Sequence, residues 1–180
     1  MARHHALVAA LVASVAIATA SATPATSVLD LPLTKATLEL GAEWTRQEIS
    51  LEGDGTGVVV AARTAAGLVL AVTRMQVANA DAWRDKTREA YFAGVERGIE
   101  RTIPGYSRVA RTTSTTRDVP TLDLEARRRD GATILVRVLL FRTYALSIAI
   151  EVPRRGDVAL ARRVVKTLLP PLPATAPRTP

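Results

Sequence analysis

The chain has 180 residues, a formal net charge of +7 at pH 7 and no cysteine. Without cysteine, the chain forms no disulfide and carries no lipid on an N-terminal cysteine, so a hydrophobic core must stabilise it. A chain of this length can bury enough apolar surface to do so, and one domain is the expected count.

The N-terminal segment has the pattern of a secretory signal peptide. Its basic start, apolar run and small-x-small end are Arg3-His4-His5, residues 6–18 and Ala20-Ser21-Ala22. We predict that residues 1–22 are removed, so that the mature chain begins at Thr23 and is periplasmic or secreted. Retention as a membrane anchor is the alternative, but the run is rich in alanine and shorter than the roughly 20 strongly apolar residues that span a bilayer.

The commonest catalytic and metal-binding side chains are missing from the predicted mature chain, since both histidines, His4 and His5, lie in the signal segment. Histidine is the usual general base near neutral pH, and histidine and cysteine are the usual zinc ligands. We therefore expect a protein that is not an enzyme, with no catalytic residue, no metal site and no cofactor. An enzyme that uses carboxylate, lysine, tyrosine or hydroxyl groups is the alternative.

Two groups of acidic residues are the candidates for carboxylate chemistry. The stretch Glu52-Gly53-Asp54-Gly55-Thr56-Gly57 lacks the ligand spacing of a calcium loop and the Lys-Ser/Thr ending of a phosphate-binding loop, so we interpret it as a turn between strands. Asp123 and Glu125 alternate with leucines, which predicts that both carboxylates lie on the outer face of a strand. Neither group predicts a catalytic or metal site.

Segments rich in proline, threonine and alanine stand at both ends of the mature chain. We expect a flexible leader at residues 23–33 and a disordered tail at residues 170–180, because proline-rich sequence forms neither helix nor central strand. The α/β sandwich domain is predicted between them, at residues 34–169.

The first half of the domain predicts a hairpin and a long helix. Runs rich in β-branched residues at 58–64 and 68–77 are separated by three residues that end in Gly67, the position that needs a positive φ. Residues 82–102 have apolar residues at helical spacing, with Asp81 as the predicted N-cap and a Pro-Gly pair as the stop.

The second half predicts four strands and a terminal helix that starts at an N-cap, Asp157. The strands are predicted at residues 107–116, 120–129, 133–141 and 145–152. The strand at residues 133–141 is apolar on both faces, so both faces need a cover, and the two helices can supply it. We therefore predict an α+β fold, in which two helices cover an antiparallel sheet to form an α/β/α sandwich.

Loop lengths set the register of the two hairpins that this central strand makes. A two-residue loop before it would place Arg137 in an apolar row, so we predict a three-residue loop at residues 130–132 and, by the same argument, at residues 142–144 after it. The predicted pairs are Ala126–Val136, Leu124–Val138 and Leu122–Leu140, with Glu125 beside Arg137, and then Leu140–Leu146, Val138–Ile148 and Val136–Ile150.

The order strands, long helix, strands, terminal helix resembles that of the PsbP-like and DcrB-like superfamily over residues 34–169. The positions that carry the resemblance are Trp44 after the first strand, Trp83 at the opening of the helix, Pro104-Gly105-Tyr106 at its end, and the hairpin at residues 133–152. Members are generally accessory, assembly or chaperone-like binding proteins, and many are exported. The resemblance therefore implies a PsbP-like sandwich and a non-catalytic role.

Four residues are candidates for partner contacts: Trp44, Trp83, Arg127 and Arg129. The tryptophans either cap the core under the helices or form a binding patch, since tryptophan is enriched at interface hot spots. We expect an exported, non-enzymatic binding or accessory protein of a bacterial envelope, with an envelope protein as its partner. The alternative is a basic surface protein that contacts a membrane surface or binds anionic lipid, polysaccharide or nucleic acid. Nucleic acid is disfavoured, because aromatics are few and no nucleic-acid motif is present.

Overall fold

The computed structural model describes residues 26–47 and 56–172. Within these ranges the chain forms nine strands, two α-helices and a short 3₁₀ turn. The strands are β1 (Ser27–Asp30), β2 (Thr37–Leu40), β3 (Trp44–Gln47), β4 (Gly57–Thr64), β5 (Val69–Gln76), β6 (Ser107–Thr116), β7 (Val119–Arg127), β8 (Thr133–Leu140) and β9 (Tyr144–Val152), and the helices are α1 (Asp85–Thr102) and α2 (Val158–Thr167). The predicted signal segment and most of the acidic glycine-rich stretch lie outside the described residues.

Seven of these strands form one antiparallel sheet in the order β3-β4-β5-β9-β8-β7-β6, and β1 and β2 form a separate hairpin. β8 lies inside the sheet, between β9 and β7, and all of its residues are buried. Such a strand is stable only where both faces of the sheet are covered.

Each face of the sheet has its own hydrophobic core. On one face, Phe92 and Ile99 of α1 share a core with Val136 of β8. On the other face, Val164 of α2 shares a core with Leu135 of β8 and with the β1–β2 hairpin. The two helices therefore lie on opposite faces of the sheet, which confirms the predicted α+β fold.

The hairpin between β7 and β8 has the predicted loop length, but its loop is residues 129–131 rather than 130–132. Arg128 donates its backbone N–H to the Ala132 carbonyl at 2.9 Å, and Gly131 has a φ of 87°. The last residue of such a loop adopts the left-handed region, which favours glycine over alanine. The predicted pairs are wrong by two residues, which leaves the apolar faces unchanged. The observed pairs are Ala126–Ile134, Leu124–Val136, Leu122–Val138 and Asp123–Arg137.

The hairpin between β8 and β9 has a two-residue loop, Arg142-Thr143, so the predicted three-residue loop is wrong. Phe141 closes it by donating its N–H to the Tyr144 carbonyl at 2.8 Å. Residues 142–144 contain no glycine for the left-handed position that a three-residue loop requires. A one-residue change of register moves every side chain to the other face. The large apolar residues of β9 therefore join the core under α2: Leu146, Ile148 and Ile150.

The folded region begins before residue 34, so the prediction of a flexible leader is wrong for the part that forms β1. Leu29 and Leu31 are buried in the core under α2, with exposures of 9% and 2%. Their spacing of two places both side chains on one face of an extended chain, which gives this short segment apolar surface to bury. At the other end of the domain Pro170 is buried, and residues 173–180 lie outside the described ranges.

The predicted N-cap of α1 is wrong and that of α2 is confirmed. Asp81 lies in the 3₁₀ turn Ala80–Ala82, where its carboxylate accepts the Ala82 N–H at 3.1 Å, and α1 begins later, at Asp85. Asp157 precedes α2 and accepts the Leu160 N–H at 2.8 Å. Within the described ranges, neither helix combines the length and the apolar character that a membrane span requires.

Candidate functional site

The two tryptophans predicted as partner contacts lie on opposite faces of the sheet. Trp44, at the start of β3, is 7% exposed and belongs to the core under α2. Trp83, just before α1, is half-buried against the core under α1, with its ring centroid 5.6 Å from that of Tyr91. Side chains on opposite faces of a sheet do not form one patch, so these positions favour the interpretation that both tryptophans cap a core.

The two predicted arginines do come together, at an open depression of about 530 Å³. We call this feature the arginine depression, and its lining residues are Arg127, Arg129, Asp130, Gly131, Thr133, Arg154 and Val158. They come from the end of β7, the β7–β8 turn, the start of β8, the β9–α2 loop and the first residue of α2. Three arginines from two segments distant in sequence therefore open onto one surface.

The β7–β8 turn is held against the end of α1, and this contact positions Arg129. The Arg129 N–H donates to the Pro104 carbonyl at 3.2 Å. Gly105, with a φ of 64°, lies so close that a Cβ added there would be 2.6 Å from the Cβ of Arg129. The absence of a side chain at residue 105 therefore allows the turn to approach the helix end.

Arg154 is held over the same turn from the other side. A Cβ added to Gly131 would lie 3.1 Å from the Cγ and Cδ of Arg154, so the stem of this arginine packs directly over the glycine. The loop that carries Arg154 is closed by a hydrogen bond from the Gly156 N–H to the Pro153 carbonyl at 2.7 Å, and Asp157 then caps α2.

The middle arginine of the sequence Arg127-Arg128-Arg129 is used differently from its neighbours. Successive residues of a strand point to opposite faces. Arg128 forms ion pairs with Asp130 at 2.6 Å and with Glu151 at 2.9 Å. Arg127, Arg129 and Arg154 are exposed, and none of them has an ion pair within residues 26–47 and 56–172.

The one carboxylate in the lining is already paired with Arg128. Hydrogen bonds from the Arg128 side chain, and then one from the Ala132 N–H, lower the pKa of Asp130 from its usual value near 4 to about 2. Asp130 is therefore ionised at neutral pH and is paired with Arg128, which also pairs with Glu151. The three remaining guanidinium groups give the lining an excess of positive charge.

Asp123 and Glu125 do not form a catalytic pair, and they do not lie on an open outer face. Both are half-buried on the side of β7 that α2 approaches. Asp123 accepts two hydrogen bonds from the buried Arg137, at 2.8 and 3.0 Å, and Arg137 also donates to the Lys166 carbonyl at 3.1 Å. Glu125 pairs with Arg162 of α2 at 2.8 Å. These carboxylates connect the sheet to α2.

The chemistry available at the arginine depression is recognition of negative charge. A guanidinium stays protonated at every pH at which proteins are folded, so arginine binds anions but does not exchange protons. The other polar lining groups are the buried Thr133 and the ion-paired Asp130. Elsewhere in the described residues, no three acidic side chains lie close enough together to hold a metal ion.

Sequence reasoning found two of the three arginines and missed the third. Arg127 and Arg129 stand out as a local cluster, whereas Arg154 lies in a loop after β9 and reaches the site only through the packing of that loop over Gly131. The Arg154-Arg155 pair in the sequence is the only signal for it, and it does not indicate which surface the pair faces.

Comparison with known proteins gives likeness in structure alone. No family model matches the sequence, and no curated protein matches it. The solution structure of cyanobacterial PsbP (CyanoP) from Synechocystis sp. PCC 6803 is similar, with a TM-score of 0.57 and 11% identity over 85% of this chain and 94% of that one. A Pseudomonas aeruginosa protein of unknown function, PA94, gives a TM-score of 0.47 and 14% identity over 83% of this chain and 99% of that one. The chain therefore has a PsbP-like fold.

Proposed function

We propose that the protein is an exported, non-enzymatic binding or accessory protein of a bacterial cell envelope, and that the arginine depression holds an acidic group of an envelope component. The signal-peptide pattern at residues 1–22 supports export. The partner that we expect is an envelope protein. No cofactor is needed for this function.

The observation that carries the proposal is the set of three exposed arginines without ion pairs around one depression. Two other arginines on the same side of the sheet are paired, Arg162 with Glu125 and Arg137 with Asp123. Unpaired arginines that converge on one surface can pair with a carboxylate or phosphate of another molecule. Because none of the lining groups exchanges a proton near neutral pH, the site suits binding rather than acid-base catalysis.

Affinity capture from a native envelope fraction tests this function. The tagged protein is incubated with the fraction and washed at low and then at physiological salt. We expect one partner in stoichiometric amount to remain after the second wash. Turnover of a substrate in a broad hydrolase screen, abolished by a single carboxylate substitution, would contradict the non-enzymatic role.

The net charge of +7 favours a second candidate, a basic surface protein that attaches to anionic lipid, polysaccharide or nucleic acid through its overall charge. Such attachment involves many dispersed charges and is screened as salt rises to physiological strength, where the Debye length is about 8 Å. Capture of heterogeneous anionic material that the physiological wash removes would favour this candidate over the first.

A further inference from the structure

Building on the proposed binding function, we infer that the acidic group held in the arginine depression is a phosphoryl group on a hydrophilic molecule. Three observations carry this inference: the number and origin of the arginines, the local charge, and the size and polarity of the lining.

The three arginines match an anion with more than two acceptor oxygens. One carboxylate has two oxygens, and a single guanidinium can satisfy both in a bidentate pair. Arg127 and Arg129 lie at the end of β7 and in the turn after it, and Arg154 lies in the β9–α2 loop, so two segments distant in sequence bring three arginines to one depression. A phosphoryl group offers three terminal oxygens and a charge of about −1.5 to −2, which several guanidinium groups can share.

The local charge remains positive after every neighbouring carboxylate is counted. Arg128 pairs with two carboxylates, those of Asp130 and Glu151, and Arg162 pairs with Glu125. Asp157, which caps α2 beside Val158, has no ion pair within the described ranges and subtracts one charge. Five arginines, the three of the depression with Arg128 and Arg162, less four carboxylates leave an excess of one, so the surroundings still favour an anion.

The lining indicates that the phosphoryl group belongs to a larger polar molecule. The volume of about 530 Å³ falls in the usual range for small-molecule sites, roughly 300–1,000 Å³, and exceeds what a free phosphate fills. Val158 has the only apolar side chain of the lining. A lipid headgroup or a free phosphorylated sugar therefore fits, whereas the site offers no apolar pocket for an acyl chain.

Two triple variants with equal net charge separate this site from general electrostatics. The site variant is R127Q/R129Q/R154Q, and the control is R84Q/R97Q/R101Q, which removes three exposed arginines of the α1 region without a described ion pair. Thermal unfolding establishes that both variants are folded. If a variant does not fold, the corresponding single substitutions replace it.

Calorimetric titration measures whether the protein prefers phosphoryl groups to carboxylates. The phosphoryl probes are pyrophosphate and glucose 6-phosphate, and citrate is the carboxylate probe at equal ionic strength. A second arm uses phosphatidylcholine vesicles with and without phosphatidic acid. We expect a phosphoryl probe to bind the wild type and the control, and the site variant to lose about 100-fold or more, since each lost bond to a charged group costs roughly tenfold. Binding to the vesicles without binding to the free probes identifies a lipid headgroup as the source, and the converse identifies a soluble phosphoryl compound.

Three results would overturn the inference. If citrate binds with the same affinity as the phosphoryl probes, the site accepts carboxylates equally and the inference of a phosphoryl ligand is wrong. The proposed binding function would stand. Equal losses in the two triple variants would show general electrostatics. Binding of no phosphoryl probe, free or in vesicles, would exclude this ligand class, while affinity capture would still test the binding function independently.

Discussion

Gly105→Ala tests the contact that positions Arg129 in the depression. Gly105 follows α1 with a φ of 64°, and the Cβ that alanine adds would lie 2.6 Å from the Cβ of Arg129 and 3.4 Å from its Cα. Because these atoms are fixed to the backbone of the β7–β8 turn, they cannot rotate away as the end of a flexible side chain would. The turn must therefore move, or the helix end must.

Gly67→Ala is the matched control, because it shares the backbone conformation without the close contact. Gly67 has a φ of 83°, and a Cβ there would lie 3.4 Å from the Pro153 side chain, an ordinary van der Waals distance. The left-handed conformation costs alanine about 1–2 kcal/mol at either position. Overpacking adds about 1–3 kcal/mol at Gly105 alone. We expect losses of about 2–5 kcal/mol for Gly105→Ala and about 1–2 kcal/mol for Gly67→Ala.

Urea unfolding followed by circular dichroism measures both losses. With an m-value of about 2 kcal/mol/M, a difference of about 2 kcal/mol lowers the midpoint of Gly105→Ala by about 1 M relative to the control. Affinity for the ligand of the arginine depression should also fall for Gly105→Ala and stay near the wild-type value for Gly67→Ala. Equal free energies of unfolding for the two variants would refute the close approach of the turn to α1.

Three further predictions concern single side chains. Asp157→Ala should lower the free energy of unfolding by about 1 kcal/mol, because the α2 cap is lost. Asp157→Asn keeps an acceptor and should change this free energy by less than about 0.5 kcal/mol. Equal losses of unfolding free energy for the two variants, measured in urea, would contradict the cap. The pKa of Asp130 is about 2 in the folded chain, below its unfolded value near 4, so its ion pair stabilises the fold above pH 4 and is lost as pH falls towards 2. Asp130→Asn should therefore flatten the pH dependence of stability between pH 4 and 2, and an unchanged slope would contradict the ion pair. Trp44→Ala should lower the free energy of unfolding by about 3–5 kcal/mol, and Trp83→Ala should lower it by less, since Trp83 is only half-buried. Loss of partner binding with unchanged stability would instead support the interpretation of the tryptophans as a binding patch.

Much of the fold could be predicted from the sequence, because its main determinant is the periodicity of apolar residues. The strand β8 is apolar on both faces, and this single observation predicts an interior strand with a helix on each side. The hairpin registers could not be predicted in the same way. They depend on which residue adopts a left-handed φ, as Gly131 does, and on which core receives the larger side chains of β9.

The candidate site could be predicted in part. The cluster at residues 127–129 is visible in the sequence, but strand alternation and the acidic partners of Arg128 determine which arginines remain unpaired. These partners include Glu151 on another strand, which no local pattern reveals. The contribution of Arg154 likewise depends on the packing of a distant loop over Gly131.

Capture from the envelope fraction with the two charge-matched triple variants tests the central claim most directly. The wild type, R127Q/R129Q/R154Q and R84Q/R97Q/R101Q are compared after a wash at physiological salt, and the retained partner is quantified. We predict that the control retains the partner as the wild type does and that the site variant loses it. Equal retention by the two triple variants would contradict the arginine depression as the binding site.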